Sequence, residues 1–272
     1  MKNLLILSLA FLLLPSAFLL AQEPEVRIYK KVDGRELAVH IFKPEKQTSL
    51  SPAVVWYHGG GWREGKAGQF FEHGKILTKF GVVSISVDYR GYAGDAENRD
   101  IVRCIEDAKS AFRWVRAHAG DLKIDPDKIA VGGGSAGGHL AAAIATLPGH
   151  NAPGDDMNIP LNPCLQLLFN PALDPTHYIV NKDASPLAAV HEGIPPAIIF
   201  HGKDDTTVPI TQAYDYQRAM FKVGAECQVN AYAGQTHSFF NYRSGANPYY
   251  YKTVGDMIVF LDNQGFLPQP KK

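Results

Sequence analysis

The chain is poor in cysteine and carries no net charge. Cys104, Cys164 and Cys227 are its three cysteines, far apart among 272 residues. An odd, scattered set excludes a disulfide framework and leaves room for one bridge at most. Lys plus Arg number 27, as do Asp plus Glu, and no block of one sign occurs. That balance argues against a nucleic-acid surface and against polyelectrolytes held by bulk charge. The ten histidines form no Cys/His cluster and no His-Glu-x-x-His, so no metal site is expected. Internal repeats and low-complexity linkers are missing as well.

Long apolar runs occur once, at the start. Lys2 precedes Leu4-Leu5-Ile6-Leu7 and a Leu, Ala and Phe stretch to Leu20, after which Ala21-Gln22-Glu23-Pro24 turns polar. A basic start, an apolar core and a small residue at the junction describe a signal peptide over residues 1–21, cut after Ala21. An uncleaved anchor is the rival, since the run nearly spans a bilayer. No cysteine follows for lipid attachment. The expectation is an exported protein, periplasmic or secreted, with no membrane contact after cleavage. Residues 22–272 suit one domain, and a hydrophobic share of 46% supplies an ordinary core.

Glycine is what the chain has, and at telling places. Val26–Tyr29 and Leu37–Phe42 are β-prone runs around Asp33-Gly34, a hairpin signal. Ala53–Tyr57 is continuously apolar, as in a strand buried on both faces, and His58-Gly59-Gly60-Gly61-Trp62 follows at once. A helix is expected over 69–80, a strand over 82–87 and a helix over 98–119, whose face carries Ile101, Ile105, Ala108, Phe112 and Val115. Cys104 shares that stripe and reads as an inert buried thiol. Asp125-Pro126-Asp127 reads as a turn into strand 128–131. Further strands are expected at 165–169, 197–200 and 228–232, and helices at 139–147, 211–223 and 249–263. Alternating strands and helices predict an α/β fold: a mostly parallel central sheet, helices on both faces and an antiparallel N-terminal hairpin. In such a sheet, ligands gather at the carboxyl ends of the strands.

Gly133-Gly134-Ser135-Ala136-Gly137 stands between a strand and an alanine-rich helix. That is Gly-x-Ser-x-Gly in the context of a nucleophile elbow, where a strained turn exposes a serine. Serine needs a base, and the base an orienting carboxylate. Downstream, Asp204 and Asp205 lie on a loop after strand 197–200, and His237 lies on a small-residue loop after the last strand. A tetrahedral intermediate needs backbone N–H donors. The glycine loop after Tyr57 and Ala136, at the start of a helix, offer them.

These motifs together resemble the α/β-hydrolases of the hormone-sensitive-lipase-like and acetyl-xylan/feruloyl-esterase-like group. The resemblance rests on His58-Gly-Gly-Gly-Trp62, Asp88-Tyr89-Arg90, Gly-Gly-Gly-Ser135-Ala-Gly-Gly-His139, His201-Gly-x-x-Asp205-x-x-Val-Pro209 and His237-Ser-Phe. It covers essentially the whole chain after residue 21. It implies Ser135 as nucleophile, Asp205 as acid and His237 as base, with Gly60, Gly61 and Ala136 as the oxyanion hole. The spacing to Val208-Pro209 favours Asp205 over Asp204. His58 and His139 read as supports: one holds the glycine loop, the other packs in the helix after the elbow. Trp62, Tyr89 and Tyr178 are candidate pocket residues, with core packing as the alternative. The resemblance implies a serine carboxylesterase without metal or organic cofactor. The substrate expected is a short-chain ester or an acyl group, such as acetyl or feruloyl, on a polysaccharide. The segment 170–196 is too short for a separate lid domain, which suits an open cleft. A peptidase of the prolyl-oligopeptidase type and a silent binding protein on the same scaffold are the alternatives.

Overall fold

The computed structural model describes residues 23–47, 49–95, 99–177, 179–243 and 247–268. The expected signal peptide and Tyr178 lie outside them. Eight strands make one sheet: β1 (Glu25–Val32), β2 (Arg35–Phe42), β3 (Ser51–Tyr57), β4 (Val83–Val87), β5 (Ile124–Gly134), β6 (Gln166–Phe169), β7 (Ala197–Gly202) and β8 (Cys227–Tyr232). Their order is β1-β2-β4-β3-β5-β6-β7-β8. Pairing is antiparallel at β1/β2 and β2/β4 and parallel everywhere else. The helices are α1 (Phe71–Lys79), α2 (Val102–Ala117), the single turn α3 (Ala119–Leu122), α4 (Ala136–Thr146), α5 (Thr211–Lys222) and α6 (Pro248–Asn263).

The sheet separates two cores of different chemistry. One is largely aliphatic: Val55, Ile85 and Val131 of the sheet meet Ile105, Phe112 and Leu140 from α2 and α4. The other is aromatic, with Trp56 stacked on Phe70 at 4.6 Å and Phe169 on Phe200 at 4.4 Å. Each such buried side chain contributes roughly 1.5–3 kcal/mol. Every residue of β3 is buried, as its unbroken apolar run requires. Cys104 is buried against the Trp62 carbonyl, its thiol pushed up by burial, and all three cysteines are free.

One cluster of buried charge joins the N-terminal hairpin to α2. Arg90 clamps the fully buried Asp107 with Nε at 2.8 Å and Nη2 at 2.9 Å, while Lys30 Nζ reaches the same carboxylate at 2.8 Å. The Arg of Asp88-Tyr89-Arg90 thus bolts the N-terminal hairpin to α2. Removing one partner of so buried a pair costs about 3–5 kcal/mol. A second cation, Lys109, is buried at the far end of α4, where Nζ donates to the carbonyls of Leu147, at 2.5 Å, and Gly149. It satisfies carbonyls that the helix end leaves open.

Two local expectations change. Asp125-Pro126-Asp127 is not a turn before β5 but a bulge inside it. Ser51 pairs with Ile124 and Ala53 with Ile129, so the extra residues loop out, and Asp127 N–H donates to Asp125 Oδ1. The helix expected from 69 begins as a 3-10 turn (Ala67–Phe70) before α1. Among the described residues, segment 170–196 builds two short 3-10 turns, Pro175–His177 and Lys182–Ala184. It meets the loop after β4 through a bridge between Arg99 and Ile179.

Candidate active site

The carboxyl ends of β3, β5, β6, β7 and β8 converge on one spot, and Ser135 stands at its centre. β5 runs into the elbow and α4 leaves it. Ser135 has φ +55° and ψ −119°, a strained backbone of the kind functional turns hold. The turn closes so tightly that a Cβ on Gly137 would lie 2.0 Å from the Tyr57 carbonyl oxygen and 2.4 Å from that of His58. Only glycine fits there, and this close approach is what aims the serine outward.

Three side chains that are distant in sequence meet in line. Ser135 Oγ donates to His237 Nε2 at 2.9 Å, and His237 Nδ1 donates to Asp205 Oδ2 at 2.7 Å. The carboxylate fixes the tautomer: Nδ1 carries the proton and Nε2 offers its lone pair to the serine. Asp205 is held by more than the imidazole. Thr207 N–H and Val208 N–H each donate to Oδ1 at 2.9 Å. His201 Nε2, which donates to the Val208 carbonyl at 2.9 Å, also lies 3.3 Å from Oδ2. Burial alone would raise the Asp205 carboxyl, but the hydrogen bonds from His201, His237 and Val208 outweigh it and hold it well below the usual range. Asp204 is exposed beside it and its N–H donates to the Gln235 carbonyl.

The glycine loop faces this line. Gly60 has φ +118°, and a Cβ there would meet the Glu64 carbonyl oxygen at 1.5 Å. Gly59 N–H is taken by Gln69 Oε1 at 2.7 Å. No acceptor engages the N–H of Gly60, Gly61 or Ala136 among the described residues. Those three donors have no partner among the described residues, and the last stands at the positive end of α4.

His58 and His139 support the loop. His58 Nδ1 donates to the Gly59 carbonyl at 2.7 Å. His139 Nε2 donates to the Ala184 carbonyl at 2.8 Å, and its Nδ1 accepts from Trp62 Nε1 at 3.2 Å. Burial pushes the His139 imidazole down to about 4, so it stays neutral. Trp62 and Tyr89, named above as candidate pocket residues, lie beneath the loop instead. Trp62 is buried edge-on to His139. Tyr89 stacks on His58 at 4.2 Å and donates its hydroxyl to the His58 carbonyl at 2.7 Å. Both rings take the core role because the loop needs polar partners below it. The third, Tyr178, is outside the described residues.

Two residues with no motif of their own also reach the site. Asn170 follows β6, buried at φ +34°. Its Oδ1 accepts from Ser238 N–H at 3.0 Å, and its Nδ2 lies 3.4 Å from His237 Nε2. Gln69 links the two sides, since its Nε2 donates to Asn241 Oδ1 at 2.9 Å while its Oε1 holds Gly59. The only sequence signal for either is position: one ends a strand and the other opens a helix.

A parallel sheet with an antiparallel edge, an elbow after the central strand and the order Ser, Asp, His define an α/β-hydrolase. Comparison with known proteins narrows the class. The BD-FAE family profile matches residues 39–163, and the prolyl oligopeptidase family profile matches residues 155–263. The propionate-bound structure of esterase Est2 from the planctomycete Thermogutta terrifontis is 37% identical, with a TM-score of 0.84, over 92% of this chain and 97% of that one. From Mycobacterium tuberculosis, the probable carboxylic ester hydrolase LipM is 28% identical over 68% of this chain and 48% of its own length. Carboxylesterase NlhH is 35% identical over 46% of this chain and 39% of its own. The chain thus spans less than half the length of these two curated relatives. It belongs to the α/β-hydrolase serine esterases of the hormone-sensitive-lipase-like group.

Proposed function

We propose that the protein is a serine carboxylesterase acting on short or polymer-attached acyl esters. The observation that carries this reading is the continuous hydrogen-bonded line from Ser135 Oγ through His237 to Asp205. In the first step His237 Nε2 takes the serine proton as Oγ attacks the ester carbonyl. The oxyanion meets the free N–H groups of Gly60, Gly61 and Ala136. His237 returns the proton to the leaving alcohol, and an acyl-serine remains. Water then repeats the sequence and frees the acid. Asp205 holds the tautomer and stabilises the imidazolium without taking its proton.

The proposed acyl preference is supported by the short connection between β6 and β7. Only two short turns bridge β6 and β7 among the described residues, which suits small acyl groups or esters on a polymer. The propionate in the Est2 relative is a short acid of the same kind. Acetyl or feruloyl groups on plant polysaccharide fit this description, and export by segment 1–21 would bring the enzyme to them. That last step is fold analogy joined to a targeting signal.

Ser135→Ala should abolish hydrolysis of p-nitrophenyl acetate, and retained activity would sink the assignment. A series from acetyl to long acyl esters should fall with length, and acetate or ferulate should be released from native xylan. A preference for long chains contradicts the substrate class. The prolyl oligopeptidase profile favours a second reading. Its match spans the acid and base but stops short of the glycine loop and the elbow. Turnover of peptide nitroanilides would revive it.

A further inference from the structure

We propose that Asn170 is a positioning residue for the base, one that also keeps the imidazole neutral until the serine proton arrives. The inference rests on the triad reading above. Asn170 is a fully buried residue other than glycine, and its φ is +34°. Such a conformation persists only where its surroundings over-determine it, and asparagine tolerates it better than most residues. Asn170 N–H donates to the Phe200 carbonyl at 2.7 Å, so the strained residue is tied to the end of β7.

The side chain decides the chemistry. An amide carries an acceptor at one end and donors at the other, and its hydrogen bonds tell them apart. Here Ser238 N–H resolves the orientation. A backbone N–H can only donate, so the group 3.0 Å from it is the oxygen. The amide nitrogen is thereby turned toward His237 Nε2, 3.4 Å away. Flipping it would leave two donors facing each other at the half-buried Ser238 N–H, which is unfavourable by the cost of an unpaired group.

Nε2 therefore faces two groups of different freedom. Ser135 Oγ is a hydroxyl that rotates, donating to the neutral ring and accepting from the protonated one. The Asn170 amide cannot reverse. It offers an N–H to the lone pair of the neutral ring and sets N–H against N–H when Nε2 is protonated. On the other side, Asp205 faces Nδ1 and favours the imidazolium. Its second histidine neighbour, His201, draws on the same carboxylate oxygen. Asn170 and Asp205 thus act in opposite directions on one ring. The amide's anchoring of Ser238, the residue after the base, keeps that ring in line with Oγ.

The test is a charge swap of equal size. In Asn170→Asp a carboxylate oxygen can still accept from Ser238 N–H, but its partner now attracts a proton on Nε2. The acid limb of kcat/KM for p-nitrophenyl acetate should move to higher pH by about one unit or more, with about tenfold less activity at neutral pH, as a charge at this distance requires. Asn170→Gly suits the positive φ and removes donor and anchor together. It should lower kcat about tenfold or more, with little change in KM, and move the acid limb upward by less than Asn170→Asp. A folded Asn170→Asp enzyme with the parent acid limb overturns the proposal. If that variant does not fold, Asn170→Gly with parent kcat and parent acid limb overturns it. Ser135→Ala run alongside separates the two levels: an active Ser135→Ala enzyme sinks the triad reading, whereas an inactive one with an unmoved limb in the Asn170 variants sinks only this proposal.

Discussion

The two halves of the site are built from different materials. The elbow and the glycine loop are made of backbone: Gly60, Gly133 and Gly137 lie too close to neighbouring carbonyls to carry a Cβ, and N–H groups are left without a partner among the described residues. The acid and base loops are made of side chains. Asp205 is held by His237 and by the nearby His201, and Asn170 holds Ser238 from 68 residues away. The difference teaches where each half is fragile. A backbone site fails by sterics, together with the fold around it. A side-chain site can lose its chemistry and keep its shape.

One substitution in each half separates the two kinds of fragility. Gly137→Val should yield no folded protein, because its Cβ would lie 2.0 Å from a fixed carbonyl oxygen. Asp205→Asn should fold, seen by circular dichroism, yet lose about 10⁴-fold in kcat through the wrong tautomer. A folded Gly137→Val protein would contradict the steric account. Gly60→Ala comes next: φ +118° and the Glu64 carbonyl forbid the methyl without a shift of the loop. With Gly60 as the proposed oxyanion donor, its displacement should cost about 10²–10³-fold in kcat, with KM little changed.

A smaller effect separates the aromatic core from the site above it. His73 is buried among Phe70, Phe169 and Tyr250, with no hydrogen-bond partner for either ring nitrogen among the described residues. Burial pushes its imidazole down to about 3. The unfolded chain then binds a proton that the folded chain refuses, so stability falls as pH drops from about 6.5 toward 3. At pH 4 the loss from this residue is about 3 kcal/mol. His73→Phe should flatten the fall of the urea midpoint between pH 7 and pH 4. Asp205 adds to acid sensitivity only below about pH 4, where its unfolded form would protonate. The smallest change is Gln69→Ala, which unlinks Gly59 from Asn241. One hydrogen-bonded bridge lost should reduce kcat by about fivefold to tenfold, with the unfolding temperature within a few degrees. An unchanged kcat would show that the two halves act independently.

Much of this was legible in the chain. Alternation of apolar runs and amphipathic stretches located the sheet and its main helices. The glycine loop, Ser135, Asp205 and His237 each stood directly after an expected strand, and the structure gathers them at one end of the sheet. Asn170 and Gln69 were not legible. Asn170 meets Ser238 across 68 residues and Gln69 reaches Asn241 across 172, and neither belongs to a motif. Trp62 and Tyr89 were legible as aromatic neighbours of the site but not as its floor. An aromatic ring beside a catalytic loop has the same sequence signature whether it faces substrate or holds the loop from below.

By itself the amino-acid order determined the α/β class, the strands that end in functional loops and the chemical types available there. Those follow from local physics: apolar periodicity, glycine where the backbone bends or approaches closely, and a nucleophile, an acid and a base in one order. Only the tertiary structure decided which side of each residue meets which partner. It brought His201 as well as His237 to the Asp205 carboxylate, sent two aromatic rings under the loop and set the Asn170 amide against Nε2. These outcomes depend on distances between segments far apart in the chain. Only packing across the sheet sets those distances.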